Sequence, residues 1–283
     1  MFGKRNRESK AQAADLLSRV DLCFVVDTTG SMGVFIRIAQ QRLREVLSAF
    51  EAEHGIDLAV GLVEYRDHPP QDKSFVTRIH ASTRDLRKMQ EAIDRMEANG
   101  GGDHAEAVFD GIYDACEEID WRPHSCRFIL LVGDAPPHGI RSHVDISLLD
   151  GPESRLPANH RRGDFCPCGL TVHSVTGAAE RRNITVHAIA MQGDAALLAS
   201  FGELASGTGG MCVQATSGEK VVEAMTGVLR REFSHLANDR LALETVGKLS
   251  DFDTDRIAEA LGWPRGQAAA SLARLGKRGF LTR

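Results

Sequence analysis

The chain has 283 residues, 42% of them hydrophobic and 26% charged, with a formal net charge of −5. That is the balance of a globular protein with one large domain and an appendage, or two medium domains. No apolar run reaches the roughly 20 residues that span a bilayer, so no membrane association is expected. The acidic balance argues against bulk electrostatic capture of nucleic acid but leaves room for a local basic face.

The opening, MFGKRNRESK, is basic and polar and lacks the apolar core of a secretory signal, so a cytoplasmic location is expected. Residues 1–19 read as a tail with a lead-in helix, on the spacing of Ala14, Leu17 and Val20. Leu22 to Val26 is a continuous apolar run ending at Asp27, the signature of a strand buried on both faces. Met32 to Glu53 carries Phe35, Ile38, Ala39, Leu43, Val46, Leu47 and Phe50 at helical spacing. Strands are then predicted at 56–65, 74–80, 128–132, 184–189 and 211–214. Helices are predicted at 85–96, 105–119, 171–182, 197–205 and 220–236. Strands alternating with helices define a doubly wound, mostly parallel, six-stranded α/β sheet over residues 20–236. Residues 139–170 interrupt it with a long aperiodic insert, a length that marks a functional or mobile loop. Six cysteines in so long a chain do not form a disulfide framework. Cys23, Cys116, Cys126 and Cys212 read as reduced core residues.

Residues 237–283 change character. Helical segments at 240–249, 255–261 and 265–278, with Gly262 closing the second and Pro264 opening the third, form a small all-α tri-helical module. The pattern resembles the helix-turn-helix of winged-helix domains. Its third helix would offer Arg265, Gln267, Ser271 and Arg274 to DNA. The segment holds eight Lys/Arg against six Asp/Glu, a weak electrostatic footprint. Only one wing strand fits before the sequence ends at Arg283. Protein docking or dimerisation is an equal alternative for this module.

The informative segment is Asp27-Thr28-Thr29-Gly30-Ser31-Met32, at the junction of the first strand and first long helix. Open α/β sheets bind ligands beyond the carboxyl ends of their strands. Asp27, Thr29 and Ser31, spaced by two across a tight turn, would offer one carboxylate and two hydroxyls to a hard cation. The same residues would also serve as a helix N-cap. The pattern D-x-[ST]-x-S after an apolar strand resembles the metal-ion-dependent adhesion site of von Willebrand factor type A domains. Gly100-Gly101-Gly102-Asp103 and the Asp134 of Val132-Gly133-Asp134-Ala135-Pro136-Pro137-His138 would be the second and third loops of that site. The chain resembles most a subgroup with GGGD followed by a Pro-Glu or Ala-Glu pair and a D-A-P-P-H motif, including A-domains attached to alpha-kinases. The resemblance implies a metal held by Asp27, Thr29, Ser31, Asp103 and Asp134, with magnesium expected and manganese or calcium as substitutes. Many family members carry threonine where Asp103 stands. An added carboxylate should raise metal affinity and weaken the pull on a partner's acidic group.

Tyr65-Arg66-Asp67-His68 follows the second strand, and the resemblance extends to it. These four residues, with His104 and His138, are expected on a partner-binding rim, or else in a loop salt bridge. His138, His143, His160, Cys166, Cys168 and His173 gather in or beside the insert. C-x-C is shorter than usual zinc spacing and no second pair follows, so zinc is not expected there.

No P-loop, nucleophile elbow, zinc-protease helix or dinucleotide fingerprint is present, so the chain is not expected to be an enzyme. The resemblance implies a non-catalytic, cation-dependent protein-interaction module, a scaffold or adaptor in a bacterial multi-protein system, engaging its partner through an acidic side chain. The alternatives are a DNA-binding regulator whose A-domain senses a partner, and a metal-dependent hydrolase.

Overall fold

Strand β1 (Arg19–Asp27) explains the architecture in miniature. Val20, Leu22, Phe24 and Val26 point into one core and Cys23 and Val25 into another, because successive side chains of a strand face opposite ways. A strand apolar on both faces has to be covered on both faces. In the computed structural model, which describes residues 16–101, 105–139, 166–191 and 193–281, that is what surrounds it. The sheet runs β3-β2-β1-β4-β5-β6, with β2 (Asp57–Tyr65), β3 (Thr77–Thr83), β4 (Cys126–Gly133), β5 (Ile184–Met191) and β6 (Cys212–Ala215). All neighbours are parallel except β3, which pairs antiparallel to β2 at the edge.

Helices α1 (Gly33–His54), α2 (Leu86–Asp94) and α6 (Gly218–Leu249) cover one face; α3 (Val108–Glu118), α4 (Val172–Arg181) and α5 (Ala195–Gly207) cover the other. Two short helices follow, α7 (Thr254–Leu261) and α8 (Arg265–Lys277). The strand order reverses at β1, which has β2 on one side and β4 on the other. The crevice beyond the ends of β1 and β4 is therefore the place for a ligand.

The structure departs from the sequence reading in three places. Val20, assigned to a lead-in helix, lies in β1, paired with Leu58 and Cys126, because a ladder position in the core outweighs an isolated helical spacing. Helix α3 starts at Val108 rather than Ala105. Before it, the backbone is spent on loop pinning: Ala107 N–H donates to the Arg66 carbonyl at 2.8 Å and Glu106 N–H to the Pro136 carbonyl at 3.0 Å. The predicted helices 220–236 and 240–249 are one continuous helix, so the expected boundary at 236/237 falls inside α6.

Gly262 (φ +64) does cap α7, and Pro264 does precede α8. Ile257, Ala268 and Leu272 pack with Val246 and Trp263. Leu275 meets Leu17 just before β1. Arg278 donates to the His124 carbonyl at 3.0 Å and to Leu17 at 3.0 Å. The C-terminal helices thus dock where β1 and β4 begin, at the opposite end of the sheet from Asp27. No wing strand occurs among the described residues.

Candidate metal centre at the strand ends

Asp27 is the last residue of β1 and is fully buried. Its Oδ1 accepts from the Thr29 N–H at 2.8 Å and the Thr29 hydroxyl at 2.7 Å. Its Oδ2 is also buried and has no hydrogen-bond partner among the described residues. A 3-10 turn, Gly30–Met32, brings the Ser31 hydroxyl within 3.3 Å of that of Thr29. Thr29 sits at the N-cap position yet makes no side-chain bond to the turn's backbone. Its hydroxyl serves the oxygen cluster, not the helix start.

The second loop is tied to the first through backbone: Asn99 N–H donates to the Thr28 carbonyl at 3.0 Å, and Gly30 N–H to Gly100 at 3.2 Å. Gly100 and Gly101 both hold φ +77, a region that L side chains enter only at a cost. A Cβ on Gly100 would stand 1.8 Å from Asp72 Oδ2. One on Gly101 would stand 3.1 Å from Glu106 Oε1 and 3.2 Å from Thr29 Cβ. Asp103 and His104 lie outside the described residues.

Asp134 follows β4 directly and is buried. Burial first, then the Asp134 charge, push the Asp27 pKa from 3.8 up to about 7, against the opposing bonds from Thr29; Asp67 adds to the rise. Tyr65 lies in the same negative field. Burial, then the charges of Asp27, Glu106 and Asp134, hold its phenol well above the usual value. Gly133 and Gly111 leave room for its ring: a Cβ on Gly133 would meet the Tyr65 hydroxyl at 2.2 Å. The site thus gathers buried carboxylates, an orphaned buried carboxylate oxygen and two hydroxyls. That donor set fits a hard divalent cation, which would neutralise charges that are costly to bury unpaired.

Glu106 was missed by sequence reasoning as a member of this group. Its signal is the Ala-Glu pair after GGGD, Ala105-Glu106.

Of the six residues expected on a partner-binding rim or in a loop salt bridge, five lie among the described residues. Tyr65, Arg66, Asp67, His68 and His138 are all 0–5% exposed and face inward. Arg66 donates to the Glu97 carbonyl at 2.8 Å, the Ser74 hydroxyl at 3.0 Å and the Thr28 hydroxyl at 3.3 Å, and stacks 4.4 Å over the Phe75 ring. It splices the first two loops together. Asp67 Oδ1 accepts from His68 N–H and pairs with His138 Nε2, both at 2.6 Å. His68 Nε2 is 3.0 Å from Asp110 Oδ2. Burial alone would lower the His68 pKa, but its bonds to Asp110 and Cys166 outweigh that and raise it to about 9.

In the insert, His143 and His160 lie outside the described residues. Cys166 is buried, Cys168 is exposed and His173 is exposed on α4. Burial, then the neighbouring Asp110 carboxylate, push the Cys168 thiol up to about 12.

Two of the four residues expected on a DNA-reading face point into the module. Ser271 is fully buried, and Arg274 clasps the buried Asp239 with both oxygens within 3.1 Å. Arg265 is exposed but paired with Asp255 at 2.6 Å, and Gln267 is half-buried. What α8 turns outward is Gly266, Ala269, Ala270, Ala273 and Gly276, with Lys277. The helix needs its polar residues to bury itself against α6.

Residues 21–148 match the family described as von Willebrand factor A domain, and the six-stranded sheet has the doubly wound α/β fold of that class. Among curated proteins, the chain is 32% identical over 143 residues to the alpha-protein kinase vwkA of Dictyostelium discoideum, covering 50% of this chain and 22% of the relative. It is 29% identical over 119 residues to an ariadne-like RING finger protein of Acanthamoeba polyphaga mimivirus, covering 42% of this chain and 11% of the relative. The matches thus span less than a quarter of either relative. Among solved structures, proximal thread matrix protein 1 from the mussel byssus, with a zinc occupied MIDAS motif, superposes with a TM-score of 0.50 at 13% identity, covering 78% of this chain and 47% of that one. That likeness concerns the fold. Among the described residues no helix is long and apolar enough to cross a membrane.

Proposed function

We propose that this protein is a non-catalytic, divalent-cation-dependent protein-interaction module, acting as a scaffold or adaptor in a multi-protein system. The carrying observation is Asp27 Oδ2, a fully buried carboxylate oxygen without a hydrogen-bond partner among the described residues, set among the Thr29 and Ser31 hydroxyls and the Asp134 charge. Asp27, Thr29, Ser31 and Asp134, with Asp103, would hold magnesium, whose preference is for hard oxygens and several retained waters. The bound ion supplies positive charge for an acidic side chain of a partner. Gly30, Ser31, Asn99 and Gly100 are exposed beside it, so the ion would meet a partner across them. The buried Tyr65-Arg66-Asp67-His68 run sets the loops and leaves the contact to these exposed residues. The zinc-occupied motif of the mussel protein and the von Willebrand factor A match support a metal at this position.

The test compares wild type with Asp27→Ala in magnesium and in chelator. The wild type should gain thermal stability with magnesium and retain a partner in pull-down only when magnesium is present. Asp27→Ala should do neither. A pull-down that is equal in chelator and in magnesium would reject the reading.

A further inference from the structure

A second cluster of metal-ligating side chains lies between the loop after β2, the start of α3 and the stretch ahead of α4. His68 Nε2 and Asp110 Oδ2 are 3.0 Å apart, Cys166 Sγ and Asp110 Oδ2 are 3.3 Å apart, and Cys166 Sγ and His68 Nε2 are 3.8 Å apart. All three residues are buried, and their ligand atoms converge on one point.

We propose that His68, Asp110 and Cys166 form a three-residue zinc site, separate from the cation site at Asp27. The geometry carries this. With zinc bonds of about 2.0 Å to oxygen, 2.05 Å to nitrogen and 2.3 Å to sulfur, a tetrahedral site needs ligand separations of about 3.3 Å (N to O), 3.5 Å (S to O) and 3.6 Å (S to N). The three observed separations each match within about 0.3 Å, so the triangle is one face of the tetrahedron that zinc requires. Imidazole and thiolate donors select a borderline-soft metal over magnesium.

An ordinary Cys-His-Asp nucleophile arrangement fits less well. There the imidazole spends one nitrogen on the carboxylate and the other on the thiol, whereas here both partners meet the same Nε2. On binding, the thiol proton of Cys166 and the proton between His68 and Asp110 pass to solvent, and their places are taken by bonds to the metal. The ion would fasten the stretch ahead of α4 to α3 and to the loop after β2. That loop also carries Asp67, whose charge reaches Asp27, so the second site steadies the neighbourhood of the first.

The experiment uses the full chain, reduced and stripped with chelator, then titrated with cobalt(II) and zinc(II). One equivalent of cobalt should produce thiolate-to-metal charge-transfer absorption, and one equivalent of zinc should abolish it. Zinc should also shield Cys166 from alkylation mapped by mass spectrometry. His68→Gln and Cys166→Ser should lose the absorption, while Asp27→Ala should keep it. Absence of charge-transfer absorption in the wild type, or its persistence in Cys166→Ser, would overturn the proposal. The wild-type spectrum decides even where a variant fails to fold.

Discussion

Arg274 offers the sharpest quantitative test of how the C-terminal helices are held. Its guanidinium donates to Asp239 at 2.6, 3.1 and 3.1 Å and to the Ser271 hydroxyl at 2.9 Å. The Asp239 side chain is 1% exposed and that of Arg274 27%. Arg274→Met strands a buried carboxylate between α6 and α8. Removing one member of a buried pair costs about 3–5 kcal/mol, and water reaching the arginine side favours the lower end, about 3 kcal/mol. In the double variant Asp239→Leu/Arg274→Met most of that loss should return, because two apolar side chains remove the charge together with its need for a partner. The assay is urea unfolding of all four members of the cycle, followed by the fluorescence of Trp263, which packs in the C-terminal core, in a Trp121→Phe background. A single-variant cost below about 1 kcal/mol, or no coupling in the cycle, would refute the reasoning. A DNA-reading role for Arg274 predicts the opposite pattern: unchanged stability and weakened retention of duplex DNA.

Three further outcomes are expected. Gly100→Ala forces a side chain into φ +77 and onto Asp72, so stability should fall by at least about 1–2 kcal/mol. Its magnesium-induced thermal shift should shrink, and an unchanged shift would contradict the loop's role. Glu232 is a buried carboxyl whose burial would raise its pKa, yet its contacts with His187 at 3.4 Å and His235 at 3.6 Å outweigh this and lower it from 4.5 to about 2. The unfolded chain therefore takes up this proton first as pH falls. The stabilisation is full above about pH 4.5 and lost toward pH 2, and Glu232→Gln should flatten the urea midpoint over that window. Asp103→Thr should weaken magnesium binding in calorimetric titration while tightening any acidic-partner contact; undiminished metal affinity would count against a ligand role for Asp103.

What the sequence determined by itself is the part of the protein written in near neighbours. Apolar runs of strand length alternating with helical periodicity specify a sheet covered on both faces. The oxygens of Asp27, Thr29 and Ser31 are brought together by one turn, so their spacing alone announced the site. The exchange of strand order at β1, which places that turn at the crevice, belongs to the tertiary structure, because alternation leaves the order of strands open. The burial of a polar residue follows a different logic. Tyr65, Arg66, Asp67 and His68 read as a surface run because nothing nearby in sequence could satisfy them; Asp110, His138 and the Glu97 carbonyl do so from distant elements. Ser271 and Arg274 looked free for the same reason, since Asp239 lies 35 residues from Arg274. The convergence of His68, Asp110 and Cys166 spans separations of 42 and 56 residues and was hidden by a C-x-C spacing that argued against zinc. Only the folded chain decides such contacts, because it alone sets which buried charge finds its partner away from water.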